Sequence, residues 1–327
     1  MFHKILRGAL WCALLVLVLA GCAYARYLSF GLDQVPKANP HAVASVNAGA
    51  TRGRILAVVT SKKAGYELTE LARAWHVFRA NGYDVEIASP QGGTPPVRID
   101  KDDMGDSDYA FLNDKAAQAR VAATLRLAEV DPARYAAVYF VGGKGAMFDF
   151  PGNPDIARIV AAIAPRGVVG AVCHGPAALA GLPAMAGKRM TGFSNAEEFF
   201  FRKDAAKVYP FLLEDKIGAG YTSAPLFLDH TVVDGRVVTG QNPWSTWSTT
   251  EAMIAALGHT PVARDVTGEE YSVRMIAAYY RGGMSAARAE QAGVPRFDKM
   301  LVLLHALIAG MEWRPVDAFQ LQRLANR

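Results

Sequence analysis

A chain of 327 residues can bury one sizeable α/β core with extensions at either end, and it needs no disulfides to do so. With 51% apolar and 20% charged residues the composition is that of an ordinary globular protein, which excludes wholesale disorder. The net charge of +5 is spread thinly, without a dense Lys/Arg block interleaved with aromatic residues, which argues against nucleic acid as a partner.

At the amino terminus Lys4 and Arg7 precede an apolar run from Leu10 to Ala20, and Gly21 and Cys22 follow. This is the layout of a secretory signal. Leu19-Ala20-Gly21-Cys22 is similar to the lipobox of bacterial lipoproteins, in which Cys22 would carry the acyl chains and become the first mature residue. The uncharged stretch from Gly8 to Ala25 also approaches the ~17–25 residues of a membrane-crossing helix, so an uncleaved anchor is the alternative for residues 1–22. Either way the membrane is an expected partner. The main body is expected in the cell envelope, facing the periplasm or the exterior.

Residues 23–53 carry Pro, Ala, Asn and Gly without sustained periodicity and read as a tether. At Arg54 the texture changes. Arg54 to Thr60 is a β-branched run, Glu67 to Asn81 carries Leu68, Leu71, Ala72, Trp75 and Phe78 at helical spacing, and Tyr83 to Ser89 reads as a second strand. The alternation continues with a strand at 135–141, a helix at 155–164, the strand Val168 to Val172, and a helix opening near His174. Strands of this kind, apolar on both faces, imply a mostly parallel sheet sandwiched by helices. Residues 231–239 then read as a hairpin turning at Asp234-Gly235, and Trp244 to Leu257 as a closing helix. The α/β domain is therefore expected over 54–258. Residues 259–327 read as a helical extension, with segments at 269–283, 285–293 and 299–311 and no catalytic pattern.

Of the three cysteines, Cys12 and Cys22 belong to the signal or anchor, which leaves Cys173 alone in the folded body. Gly170-Ala171-Val172-Cys173-His174-Gly175-Pro176 puts that thiol where a buried strand ends, among residues small enough for a sharp turn. A helix beginning at that point would favour the thiolate through its unpaired N–H groups and dipole. Gly142-Gly143 follows a strand with no side chains in the way, so its N–H groups are candidates to hold an oxyanion. On the first helix, Glu67 and Glu70 are both able to reach the carboxyl ends of the strands, where open α/β sheets place their sites.

The run Ala171 to Leu179 resembles the Cys-His signature of the ThiJ/PfpI superfamily, whose flavodoxin-like fold is related to class I glutamine amidotransferases. Four further landmarks, at 142–154, 188–198, 210–215 and 232–243, are similar to the glutathione-independent glyoxalase III branch. The resemblance spans Arg54 to Gly258. It implies that Cys173 is the nucleophile, that Glu70 is the acid/base on the first helix, and that a Glu seven residues after Thr191, Glu198, orients His174. Glu197 is the neighbouring alternative. Where relatives often carry Gly-His-Gly, this chain has Gly143-Lys144-Gly145.

What the resemblance implies chemically is the conversion of methylglyoxal or a similar 2-oxoaldehyde to a 2-hydroxy acid such as lactate, with no metal and no cofactor. A small aldehyde is the expected substrate, and a homodimer is compatible with it. Amide transfer would need a His followed two residues later by Glu, and His230, His259 and His305 lack that partner. A cysteine peptidase or deglycase of the same superfamily, or a chaperone-like or redox-sensing protein using Cys173, remain the alternative readings.

Overall fold

The structure is a computed structural model that describes residues 24–35, 37–43 and 52–326 together with Leu14, Leu17, Val18, Gly21 and Cys22. The chain divides into two compact units, one comprising 38–264 and the other 1–37 with 265–327.

In the first unit the strands are β1 (Arg54–Val58), β2 (Tyr66–Glu67), β3 (Asp84–Ser89), β4 (Val97–Arg98), β5 (Leu125–Arg126), β6 (Ala137–Phe140), β7 (Val168–Val172), β8 (Thr231–Asp234) and β9 (Val237–Gly240). Seven of them form one sheet in the order β5-β3-β1-β6-β7-β9-β8, parallel throughout except for β8, which runs antiparallel to β9. β2 and β4 pair separately, which sets Glu67 opposite Arg98. This is the flavodoxin-like α/β sandwich expected from the sequence. Alternating side chains feed two cores: Ile55, Ala57, Tyr139 and Val141 pack with the helices Leu68–Ala80 and Thr246–Ala256, while Leu56, Val58, Val138 and Phe140 pack with the helix Pro154–Ile163.

From β1 the chain builds outward to β3 and β5, then returns to build β6, β7 and β9 on the other side. The reversal lies between β1 and β6, and the crevice beyond the carboxyl ends at such a point is where these sheets hold ligands. The segments that follow β1, β6 and β7 carry Glu70, Gly142 and Cys173.

Two local expectations are corrected. The helix expected near His174 is absent. Gly175–Ala178 make a four-residue 3-10 turn, and a second one, Pro183–Met185, follows at once. Pro176 suits a first helical turn, but Gly181 at φ 87° and Pro183 stop it from continuing. In the hairpin, Asp234 is still paired with Val237, so the two-residue loop is Gly235-Arg236, with Gly235 at φ 63°.

The other unit contains the helices Gly268–Gln291, Lys299–Met311 and Pro315–Ala325, the last of which the sequence reading did not assign. Thr267 and Glu270 form a capping box on the first, and Gly282 and Gly283 break it internally. Val273, Ile276, Val302, Ala309, Leu321 and Leu324 are buried. Cys22 is exposed in the described part of the amino-terminal segment, whereas Leu19 and Ala20 of the expected lipobox, and Cys12, lie outside the described residues. Among the described residues no helix is long and apolar enough to cross a membrane.

Candidate active site

Cys173 sits on the turn that ends β7 with φ 58°, a left-handed conformation that is strained for any residue with a Cβ. Two backbone bonds hold it there. Its N–H donates to Gly240 O at 3.0 Å, and its carbonyl accepts from Phe193 N–H at 2.8 Å. The side chain is only 4% exposed.

His174 has Nδ1 3.3 Å from the Cys173 sulfur and Nε2 2.6 Å from Glu198 Oε1. A proton on Nε2, donated to Glu198, leaves Nδ1 as the acceptor for the thiol. The ring is flanked by Phe193, with centroids 4.7 Å apart, and by Tyr209 at 5.8 Å. Glu197 is turned elsewhere. It accepts from Ser194 N–H and Oγ, Gln241 Nε2, Phe227 N–H and Asn242 Nδ2, at 2.8–3.1 Å. Of the two neighbouring glutamates, Glu198 is therefore the one at the histidine, and Glu197 ties the start of its helix to the end of β9.

Glu70 is fully buried, and its Oε2 accepts from Gly142 N–H at 2.7 Å. Burial pushes its carboxyl well above the usual range; the charge of Glu67 adds to this, while the Cys173 side chain, the Gly142 N–H and the Arg73 guanidinium pull it back. A Cβ on Gly142 would sit 2.7 Å from Glu70 Oε2 and 2.8 Å from Cys173 Cβ, so only glycine lets carboxyl and thiol approach across this position. Glu67, the competing candidate, lies at the rim, 3.5 Å from Arg98, and burial pushes its carboxyl up to about 7.

The helix start expected to favour a Cys173 thiolate is not there. Burial pushes this thiol well above its usual range, the negative charge of Glu70 and a hydrogen bond with it add, and only the Gly143 N–H among the larger influences opposes them. With only a 3-10 turn following, no helix dipole offsets the loss of water. The two glycines also differ from expectation. Gly142 N–H is already committed to Glu70, which leaves Gly143 N–H, at the sulfur, as the candidate oxyanion donor. Lys144 is half-buried beside them.

Sequence reasoning missed Phe193, Tyr209 and Arg73. Phe193 lies inside the 188–198 landmark, but nothing distinguishes it there from a core residue. Arg73, 3% exposed, donates to Pro243 O and Asp103 O and lies 3.7 Å from Asp108, and the charge of this buried cation pulls the Glu70 carboxyl back towards its usual range. Among the described residues no group of three or more His, Cys, Asp or Glu side chains is arranged to hold a metal ion.

The sequence pattern of the DJ-1/PfpI family matches residues 54–256. Glyoxalase 3 of Candida albicans is 32% identical over 213 residues, which cover 60% of this chain and 90% of that protein. The glutathione-independent glyoxalase HSP31 of Saccharomyces cerevisiae is 34% identical over 214 residues, with the same coverage of 60% and 90%. Among solved structures, that of glyoxalase III from Candida albicans superposes with a TM-score of 0.58 at 28% identity, over 63% of this chain and 98% of that one.

Proposed function

The chain belongs to the DJ-1/PfpI family, and from that premise we propose that it is a glutathione-independent glyoxalase converting methylglyoxal or a similar 2-oxoaldehyde to the 2-hydroxy acid. The observation that carries this reading is the convergence of a thiol, an imidazole and two buried carboxyls, one carboxyl on the sulfur side and one behind the histidine. The relatives that match over the same residues are named as glyoxalases.

The sulfur of Cys173 adds to the aldehyde carbon, C1, and its proton passes by way of His174 to the former carbonyl oxygen, giving a hemithioacetal. The Gly143 N–H supports the developing negative charge on that oxygen. Glu70, as carboxylate, removes the hydrogen from C1, forming an enediol across C1 and C2. It then returns that proton to C2, the C1 hydroxyl gives its proton to the C2 oxygen, and the C1 oxygen reforms its double bond. C1 has been oxidised and C2 reduced, so no external oxidant enters, and the product is a 2-hydroxyacyl thioester. Water hydrolyses it to the acid and frees the thiol.

A carboxyl held above its usual range is suited to this shuttle, because it releases the proton as readily as it takes it. Glu198 stabilises the imidazolium that forms when the thiol is activated.

The test is turnover of methylglyoxal without glutathione by the purified chain, with lactate as the measured product. No lactate from a folded protein would overturn the reading. The envelope location belongs to the same proposal: intact-mass analysis of the protein from its host should find an acylated Cys22 as residue one, and an unmodified Met1 would exclude lipidation.

A further inference from the structure

Among the described residues Tyr209 is the one tyrosine whose ring lies against His174, and the proposed reaction gives it no task. Its ring centroid is 5.8 Å from that of His174 and 5.8 Å from that of Phe148, which follows the Gly142-Gly143 loop. The residue is 6% exposed, and among the described residues its hydroxyl has no hydrogen-bond partner. The hydroxyl is not among the buried polar atoms left without a partner, so it opens to solvent while the ring is packed, and it is free to donate to a bound molecule. Burial opposes its ionisation, as would negative charge on Glu198 or Cys173, so the hydroxyl keeps its proton.

The reaction has an unmet need at this place. An enediol carries two oxygens. The one on C1 has the Gly143 N–H, while the Gly142 N–H is spent on Glu70. The oxygen on C2 gathers negative charge as Glu70 removes the C1 hydrogen, and nothing yet assigned donates to it.

We infer that Tyr209 is a further catalytic residue, its hydroxyl donating a hydrogen bond to the C2 oxygen of the substrate as the enediolate forms. This rests on the glyoxalase reading for its substrate. The phenol keeps its proton throughout, so no bond to it is made or broken. The requirement for an oxygen on C2 would also restrict substrates to 2-oxoaldehydes, with simple aldehydes forming the hemithioacetal and going no further.

The experiment compares the full chain with Tyr209→Phe, which keeps the ring against His174 and removes only the hydroxyl. The kcat for methylglyoxal should fall by about 30- to 100-fold with KM within about threefold, as for loss of one donor to a transition-state oxyanion. The rate of Cys173 alkylation by iodoacetamide, read by peptide mass, should stay the same. Glycolohydroxamate, a planar mimic of the enediolate, should protect Cys173 from alkylation, about tenfold more weakly in Tyr209→Phe. If the wild-type chain fails to turn over methylglyoxal, the glyoxalase reading falls, and the protection measurement still decides the role of the hydroxyl. Unchanged kcat and protection in Tyr209→Phe, or no protection of the wild-type thiol at all, would overturn the assignment. A fall in kcat with unchanged protection would overturn it too, since Tyr209 would then act through His174 and not on the substrate.

Discussion

His174 and Glu198 meet at 2.6 Å between Nε2 and Oε1, at side chains that are each nearly buried, so the carboxylate fixes both the ring's orientation and which nitrogen faces Cys173. The Glu197 carboxylate, one residue earlier, accepts five hydrogen bonds and none of them from the histidine. The two glutamates should therefore fail differently. Glu198→Gln keeps an acceptor but removes the charge that stabilises the imidazolium, so kcat should fall by about 10- to 100-fold with little change in melting temperature. Glu197→Gln replaces one oxygen by an amide facing donors, and its effect should appear first as lost stability, of about 2–4 kcal/mol. Thermal melts beside steady-state kinetics separate the two, and equal loss of stability in both variants would remove the distinction.

Cys173 holds φ 58° at 4% exposure, so nucleophile and strained turn are one residue. Cys173→Ser should abolish turnover, because a hydroxyl is a far weaker nucleophile, and activity within about threefold of wild type would exclude covalent catalysis there. Cys173→Ala and Cys173→Gly both remove the thiol but differ in the Cβ. The glycine variant should be more stable than the alanine variant by about 1 kcal/mol, since left-handed backbone costs about that for a residue with a side chain. Chemical denaturation of the pair measures it, and alanine equal to or above glycine would mean that the turn is unstrained.

How far the sequence could be read depended on how directly residue type determines each feature. Val168 to Val172 is a continuous apolar, β-branched run, and a parallel strand covered on both faces has to look that way. The short turns after Cys173 were hidden because Pro176 is as acceptable at the start of a full helix as at the start of a 3-10 turn. The choice between Glu197 and Glu198 was legible in principle. Ser194 and Glu197 have the spacing of a capping box, which they form, and a glutamate spent on a cap is not available to a histidine. Pro315 likewise marked the start of the last helix. Tyr209 carried no such mark, since its place beside His174 arises from tertiary packing.

The two first-helix carboxyls should differ in the same assay. Glu70→Gln removes the acid/base and should lower kcat by about 10²-fold or more. Glu67→Gln should be mild below pH 7, where the wild-type carboxyl, held up to about 7, is itself mostly neutral. Above pH 7 wild-type Glu67 becomes negative and opposes ionisation of Glu70 and Cys173, so the variant should be severalfold more active there, with its rising limb moved to lower pH. Stability follows the same sign. The folded carboxyl holds its proton to about 7 and the unfolded one to about 4.5, so the contribution present below pH 4.5 is lost as pH rises through 7, at most about 3 kcal/mol. Glu67→Gln should flatten that decline. Identical pH profiles for wild type and Glu67→Gln would show that Glu67 does not influence the site.

The compact α/β unit runs to Arg264, six residues beyond the Gly258 boundary drawn from the sequence, and those last residues are bonded into it. Val262 N–H donates to Asn81 Oδ1 at 2.8 Å, Arg264 Nε lies 2.8 Å from Glu251 Oε1, and its guanidinium stands 3.9 Å over the Trp247 ring. Arg264 is only 15% exposed at its side chain, so the ring contact is largely sheltered from water. A hydrogen bond, a partly exposed ion pair and a sheltered cation–π contact together come to about 2–3 kcal/mol. For a domain of this size that corresponds to about 5–10 °C in melting temperature. A chain ending at Gly258 should therefore melt lower by that amount than one ending at Arg264. In the full chain, Arg264→Ala should by itself cost roughly half of that difference, because it removes the ion pair and the stacking but leaves the Val262 bond. Equal melting temperatures for the two truncated chains would mean that residues 259–264 merely lie against the helices Leu68–Ala80 and Thr246–Ala256 and contribute nothing to holding them.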